Sequence, residues 1–441
     1  MPTRMFPRRR TGAATVTRPD GGEPIGRLAT ASFMGTAIEF FDFYAYSIAA
    51  ALVLDKVFFP LLDPVSGKLA AFSTYAVAFL SRPLGAMLFG HWGDRIGRKA
   101  MLISSLLLMG LSTFAIGLLP GYATIGVLAP ILLVVLRFLQ GIGLGGEWGG
   151  AALLATEHAP PGKRGLYGMF PQLGPSVGFI AANGLFLLMG IWLTDDQFKG
   201  GGWRIPFLFS IVLVLIGLYV RVQLSETPAF MKALKEKAVE RVPLVPLLKE
   251  QWRQLLLGSG AMMVQYTLFY TATAYCLSYG TSVLKIPKST MLTLTLLAVV
   301  VLGLCTAFTA IVSDRWGRRR VLLGACVLAV GWGLVMFPLI DSKNSLLIFI
   351  ALAGALGVMG LSYGPMGAYL PELFQTRYRY TGAALAYSLG GVLGGALPPL
   401  ISTGLQADLG SWAVGGYVTL VALISLGCVA ALRETKDRAL D

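Results

Sequence analysis

The stretch Gly90-His91-Trp92-Gly93-Asp94-Arg95-Ile96-Gly97-Arg98-Lys99 returns in altered form as Ser313-Asp314-Arg315-Trp316-Gly317-Arg318-Arg319-Arg320. Asp94 and Asp314 lie 220 residues apart, half of the 441-residue chain. Each stretch is a short polar break between two long apolar runs, so the repeat marks the same loop in two related halves. A weaker correspondence relates Lys163-Arg164-Gly165 and Gly174 to Arg379-Tyr380-Thr381-Gly382 and Gly390. Paired halves of this kind point to a substrate site at their interface, near the middle of a bilayer.

The runs around these loops decide the class. The chain is 55% apolar and 13% charged, whereas soluble domains carry roughly 25% charged residues. Apolar runs of about 20 residues cross a hydrocarbon core of about 30 Å as helix. Backbone groups cannot go unpaired in lipid, which makes such runs helical. A membrane barrel would alternate over about 10 residues instead, and these runs do not. The pattern predicts an all-α membrane protein with twelve transmembrane helices in two pseudo-symmetric six-helix bundles. The working spans are 30–54, 68–90, 100–119, 128–156, 166–190, 204–224, 253–280, 289–312, 321–341, 346–370, 381–404 and 412–432. The longest hydrophilic stretch, 225–252, contains Lys232, Lys235, Lys237 and Arg241 and separates six spans from six. The expected organisation is therefore a tail at 1–29, a first bundle at 30–224, a central loop at 225–252, a second bundle at 253–432 and a tail at 433–441.

The net charge of +14 resembles a nucleic-acid footprint only until it is placed along the chain. With the first span starting in the cytoplasm, 26 of the 36 Lys and Arg fall in connections on that side and seven on the other. That asymmetry is the positive-inside pattern. It predicts both termini in the cytoplasm, a multi-pass membrane location, lipid contact and no nucleic-acid partner. Arg8-Arg9-Arg10 is followed by no apolar core or cleavage site, so no removable signal is expected. Cys276, Cys305, Cys326 and Cys428 all fall within spans at no metal-like spacing, and only His91 and His158 could join them. No metal and no cofactor are expected. The chain lacks the Gly-x-x-x-x-Gly-Lys-Ser/Thr phosphate loop, which argues against ATP drive. No catalytic cluster is evident, so an enzyme is not expected.

The repeated loop has a physical logic. Gly90, Gly97 and Gly317 allow tight backbone turns. Asp94 or Asp314 can face a helix N-terminus, where the macrodipole favours negative charge. If such an Asp reaches across the halves it latches one side shut; alternatively Arg95, Arg98, Arg315 and Arg318 only enforce topology. The loop pair and the six-plus-six layout resemble the major facilitator superfamily. Further stretches resemble its bacterial metabolite:proton symporters, shikimate-type carriers in particular. These are Gly35-Thr36-Ala37-Ile38-Glu39-Phe40-Phe41-Asp42-Phe43-Tyr44, Ser81-Arg82-Pro83-Leu84-Gly85, Arg137-Phe138-Leu139-Gln140-Gly141, Gly145-Gly146-Glu147-Trp148-Gly149-Gly150 and Trp203-Arg204-Ile205-Pro206-Phe207. The resemblance implies a monomeric carrier working by alternating access. It also implies proton coupling through a helix-1 acid and a helix-4 Arg. The cargo it suggests is a shikimate-like acid or dicarboxylate, with proline- or betaine-like zwitterions as the alternative and drug efflux as a weaker one.

Ionisable groups inside a membrane are costly and mark function by default. Glu39 and Asp42 share one face of the first span. Asp42 lies roughly 18 Å from one surface and Arg137 roughly 14 Å from the other, by helical rise, so a midplane pair is geometrically open. Asp42, helped by Glu39, is the expected proton carrier, with Arg137 engaging that carboxylate or the substrate's; the same groups could instead form a fixed ion pair. Arg82 and Glu147, deeper in spans 2 and 4, read equally as a gating or structural pair and as a ligand contact. Candidate cavity residues are Tyr44, Gln172, Gln265, Tyr266, Tyr270 and Tyr387, whose polar tips suit a small hydroxylated or ring-bearing solute.

Overall fold

A computed structural model of the chain describes residues 25–222, 244–375 and 379–437, apart from 97, 158 and 161. Twelve long helical elements run through them. In the first half these are α1 (Ile25–Leu52), α2 (Pro64–Ile96), α3 (Arg98–Leu118), α4 (Leu128–Gly145, continued by Trp148–Glu157), α5 (Arg164–Trp192) and α6 (Ile205–Val222). In the second they are α7 (Trp252–Tyr270, Thr271–Tyr275, Cys276–Ser282), α8 (Lys288–Trp316), α9 (Arg318–Asp341), α10 (Ser345–Glu372), α11 (Arg379–Gly391, Val392–Ala396, Leu397–Leu409) and α12 (Ser411–Ala431). Every working span overlaps one of them; α1, α2, α8, α9 and α11 run three to six residues past their span at one end or both, while the spans ending at 54, 119 and 432 overrun their helices by one or two residues. Among the described residues no strand occurs.

Local chemistry sets the ends. Asn344 caps α10, its Oδ1 accepting from the Leu346 and Leu347 amides at 2.9 and 3.3 Å. Gly317 separates α8 from α9 at φ +97° and Gly410 separates α11 from α12 at φ +90°, a left-handed conformation that other residues adopt at a cost. Three helices are irregular within their length. α4 breaks at Gly146-Glu147, while α7 and α11 each widen into a π turn, at Thr271–Tyr275 and Val392–Ala396. Such turns frequently sit at functional sites, and here they flank the seam between the halves.

The two halves meet along α5 with α8 and α10, and along α2 with α11. Within the first half α2 and α4 touch backbone to backbone. A Cβ on Gly141 would stand 2.1 Å from the Ala78 carbonyl oxygen, and one on Gly145 equally close to that of Arg82. Small residues permit this approach where helix packing rather than burial from water drives association. The outward faces stay apolar: Ile131 and Val135 on α4, and Leu304 and Phe308 on α8, are exposed. Eight helices are long and apolar enough to cross a membrane among the described residues.

Candidate functional site

Two adjoining narrow cavities lie between the halves, sharing Phe40 and Tyr387 in their walls. The first is an aromatic box between α1, α7, α10 and α11. Tyr44, Tyr266, Tyr270, Tyr363 and Tyr387 line it with Gln265. Four of the six expected cavity residues sit on α7 and α11 here, and Tyr44 joins them from α1. Tyr266 and Tyr270 are one helical turn apart and stack with centroids 6.2 Å apart. The Tyr363 and Tyr387 hydroxyls meet at 3.2 Å. Gln265 Oε1, buried in this wall, has no hydrogen-bond partner. Gln172, also expected here, is occupied otherwise: it donates to the Tyr363 carbonyl at 2.9 Å and accepts from Trp148 Nε1 at 3.1 Å. It therefore ties α5 to α10 and positions Trp148, which stacks on Tyr387 at 3.9 Å.

The second cavity holds the charges. Glu39 of α1, Glu147 at the break in α4 and Arg82 of α2 line it. Arg221, near the end of α6, sits behind them and contacts both Glu39 and Glu147 through Nη2. This residue was not anticipated. The expected pairing of Arg82 with Glu147 is absent because the α4 break presents Glu147 to α1 and α6, where Arg221 meets it. Gly35 makes room for the guanidinium: a Cβ there would be 3.1 Å from Arg221 Nη2. Arg82 instead lies between aromatic rings, its guanidinium carbon 4.7 Å from the centroids of both Phe43 and Phe79. It is 2% exposed, and Nε, Nη1 and Nη2 all lack hydrogen-bond partners.

Asp42 and Arg137 are both wholly buried, but they do not form an ion pair. Arg137 donates to Gln140 Oε1 and, at 3.3 Å, to the Tyr75 carbonyl. Its guanidinium carbon lies 3.8 Å from the Tyr46 ring centroid. Gln140 in turn donates to Thr113 Oγ1 at 2.7 Å, and Thr113 is the polar neighbour of Asp42. Thus Thr113 and Gln140 stand between the acid and the arginine that depth alone placed together. Asp42 Oδ1 and Oδ2 make no hydrogen bond of sound geometry. Arg137 lines neither cavity.

Both ends of the seam carry contacts between the halves. On the side where α1 begins and α12 ends, Asp314 Oδ1 and Oδ2 accept from the Gly165 and Leu166 amides of α5 at 2.8 and 2.9 Å. Arg318 holds the same carboxylate at 2.7 Å. Glu372, fully buried, lies 3.6 Å from Arg318 of its own half and from Arg164 of the other. Arg315 is exposed. A Cβ on Gly317 would collide with Glu434, whose carboxylate caps α9 by accepting from the Arg318 and Arg319 amides. For the first copy of the loop, Gly97 and the side chains at Gly90, Asp94, Arg95 and Arg98 lie outside the described residues. At the opposite end Lys288 of α8 reaches Asp195 at 3.6 Å and lies 3.7 Å from the Phe198 ring centroid. Asn183 of α5 donates to the Leu292 carbonyl of α8 at 3.0 Å.

Two helical bundles closing over a small cavity of aromatic and charged side chains, with contacts at both ends of the seam, define a membrane carrier. The chain belongs to the Major Facilitator Superfamily, whose sequence profile matches residues 32–399. It is 49% identical to the inner membrane metabolite transport protein YhjE of Escherichia coli strain K12, over 94% of this chain and 95% of that one. It is also 38% identical to the shikimate transporter of the same strain, covering 96% and 98% of the two chains, and 33% identical to its proline/betaine transporter, covering 96% and 86%. Among solved structures it resembles the xylose transporter XylE of E. coli in a partially occluded inward-open conformation. The TM-score is 0.75 at 17% identity, over 94% and 99% of the chains. A D-xylose-proton symporter crystal structure gives a TM-score of 0.72 at 19% identity, over 94% and 100%. The protein is a multi-pass membrane transporter of the metabolite type, not an enzyme.

Proposed function

We propose that the protein takes up a small carboxylate metabolite together with protons, by alternating access between its two bundles, as a monomer in a bacterial inner membrane with both termini in the cytoplasm. The observation that carries this reading is the placement of a buried acid-and-arginine set beside a small aromatic cavity at the seam between the halves. Asp42 is the proton carrier, with Glu39 next to it on the same helix face and Arg137 coupled to it through Thr113 and Gln140. A buried carboxyl without a cation or strong donor is stable only when neutral, so loss of its proton has to accompany a rearrangement of its surroundings. Arg137 is the cation nearest in connectivity to receive that charge. The aromatic box also favours a second reading, a zwitterion with a quaternary or secondary ammonium group, because tyrosine faces attract such cations. Shikimate, quinate, 2-oxoglutarate, proline and betaine form the test panel. Uptake of at least one by cells expressing the protein is expected to collapse on adding a protonophore. Uptake of the same solute that persists and merely equilibrates would point to uncoupled transport.

The contacts at Asp314 and Lys288 act as the two gates of that cycle. Asp314 latches the cytoplasmic side by capping α5 across the seam. Asp314→Asn keeps the side chain's shape and removes its charge, weakening two amide contacts and the Arg318 pair, each worth about 1 kcal/mol or more. The closed cytoplasmic side is expected to lose roughly tenfold or more in population. Spin labels at Lys163→Cys and Arg320→Cys, in a chain with its four native cysteines replaced, should report the longer distance; an unchanged distance distribution would remove Asp314 from the gate.

A further inference from the structure

We infer that Arg82, rather than Arg137, is the anchor for the substrate's carboxylate; this rests on the reading of the protein as a carrier of carboxylate-bearing solutes. Three observations converge on it. Arg82 lines the cavity, whereas Arg137 does not. All three guanidinium nitrogens of Arg82 are buried without a hydrogen-bond partner, among 2% residual exposure. A buried guanidinium presents five N–H donors, and leaving them unmade is expensive unless something fills them during the cycle. Arg137 donates through Nη1 to Gln140 and through Nη2 to the Tyr75 carbonyl, which leaves only its Nε without a partner.

The surroundings of Arg82 fit an arriving anion. Phe43 and Phe79 hold the guanidinium plane from the sides, which fixes its position without using its donors. Across the seam Gly391, on α11, brings backbone close: a Cβ there would be 3.4 Å from Arg82 Nη1 and 3.3 Å from Phe79. The absent side chain leaves the donors facing the wall that Tyr387 and Ser388 also form. The two carboxylates in the same cavity, Glu39 and Glu147, are held by Arg221, so they are not free to neutralise Arg82 in this conformation. A planar fork of donors matches a carboxylate bidentately. The solute's carboxylate would thus sit at Arg82, with its ring, hydroxyl or ammonium portion extending past Tyr387 into the tyrosine box.

The test is ligand binding to the detergent-purified full-length protein, read as a thermal shift and titrated for affinity. The probes are shikimate, quinate, 2-oxoglutarate, proline and betaine, each beside its methyl ester or amide, with xylose as a solute lacking a carboxylate. Binding to the folded state must raise the midpoint. The wild type should be stabilised by at least one acid and not by its ester. Arg82→Gln should lose that shift, with at least a hundredfold weaker binding, while Arg253→Gln, at an exposed arginine of α7 outside both cavities, keeps affinity within a few-fold. Should Arg82→Gln fail to fold, Arg82→Lys keeps the buried charge and should still bind at least tenfold more weakly, because an ammonium cannot present the paired donors. An acid that binds Arg82→Gln or Arg82→Lys as tightly as wild type would overturn the anchor and leave the carrier reading intact. A wild type stabilised only by xylose or the esters, or by no probe, would overturn the carboxylate reading itself and the anchor with it.

Discussion

Asp42→Asn is expected to abolish accumulation while leaving exchange intact. With one proton per solute, an inward gradient of one pH unit sustains at most about tenfold accumulation, since about 1.4 kcal/mol corresponds to a factor of ten. In proteoliposomes loaded with the transported acid, the variant should bring the internal-to-external ratio down to about one. Counterflow of labelled against unlabelled solute should continue within a few-fold of wild type. The asparagine mimics the neutral acid that the unpartnered, fully buried carboxyl of Asp42 implies, so the fold tolerates it and the proton cycle does not. Retained tenfold accumulation would assign the coupling elsewhere, and Glu39→Gln under the same assay would then be the next variant to read.

Arg221→Leu should be the most damaging single change to stability among the charged residues of the first half. It would leave Glu39 and Glu147, which now share one guanidinium, facing each other without a cation. Removing one partner of a buried ion pair costs about 3–5 kcal/mol, and two stranded carboxylates place this case at the upper end. The thermal midpoint of the purified variant should fall well below that of wild type. Adding Glu39→Gln and Glu147→Gln to Arg221→Leu should recover most of the loss, because an uncharged set can be as stable as a buried ionic one. An Arg221→Leu protein as stable as wild type would mean that water or a rearranged side chain satisfies the two acids.

Much of the architecture was legible because lipid leaves few choices. Each apolar run of about 20 residues must be a helix, and the copied Asp-Arg-x-Gly-Arg pattern located both the loops and the halves. The repeat's physical reading also carried through at one copy: Asp314 does face a helix N-terminus, and that helix belongs to the other half. The tyrosines of α7 were legible as a face, since Tyr266 and Tyr270 are four residues apart, and both line the cavity.

The charge partners were not legible, for geometric reasons. Depth along a helix gives one coordinate of a side chain and says nothing of its rotation. Asp42 and Arg137 have comparable depth, yet Thr113 and Gln140 intervene. Arg221 does not stand out in the sequence because an arginine in the last turn of a span ordinarily enforces topology at the membrane surface. Two features signal its inward aim: an acid, Glu147, buried among glycines, and Gly35 one helical turn before Glu39. Glu147 itself reaches α6 only because α4 breaks at Gly146, and no periodicity in the sequence marks that break. Polarity alone suggests a ligand contact for Gln172, whereas the structure engages both ends of its amide between α5, α10 and Trp148.

The central claim is that solute and proton move together, and the most direct measurement is of the proton. Purified protein in liposomes holding a pH-sensitive dye should show internal acidification when the transported acid is added outside with no pH gradient imposed. The signal should be absent in Asp42→Asn and absent for wild type given the acid's methyl ester. Entry of labelled acid without any proton signal in the wild type, at the same sensitivity, would contradict coupled transport and leave a passive carrier in its place.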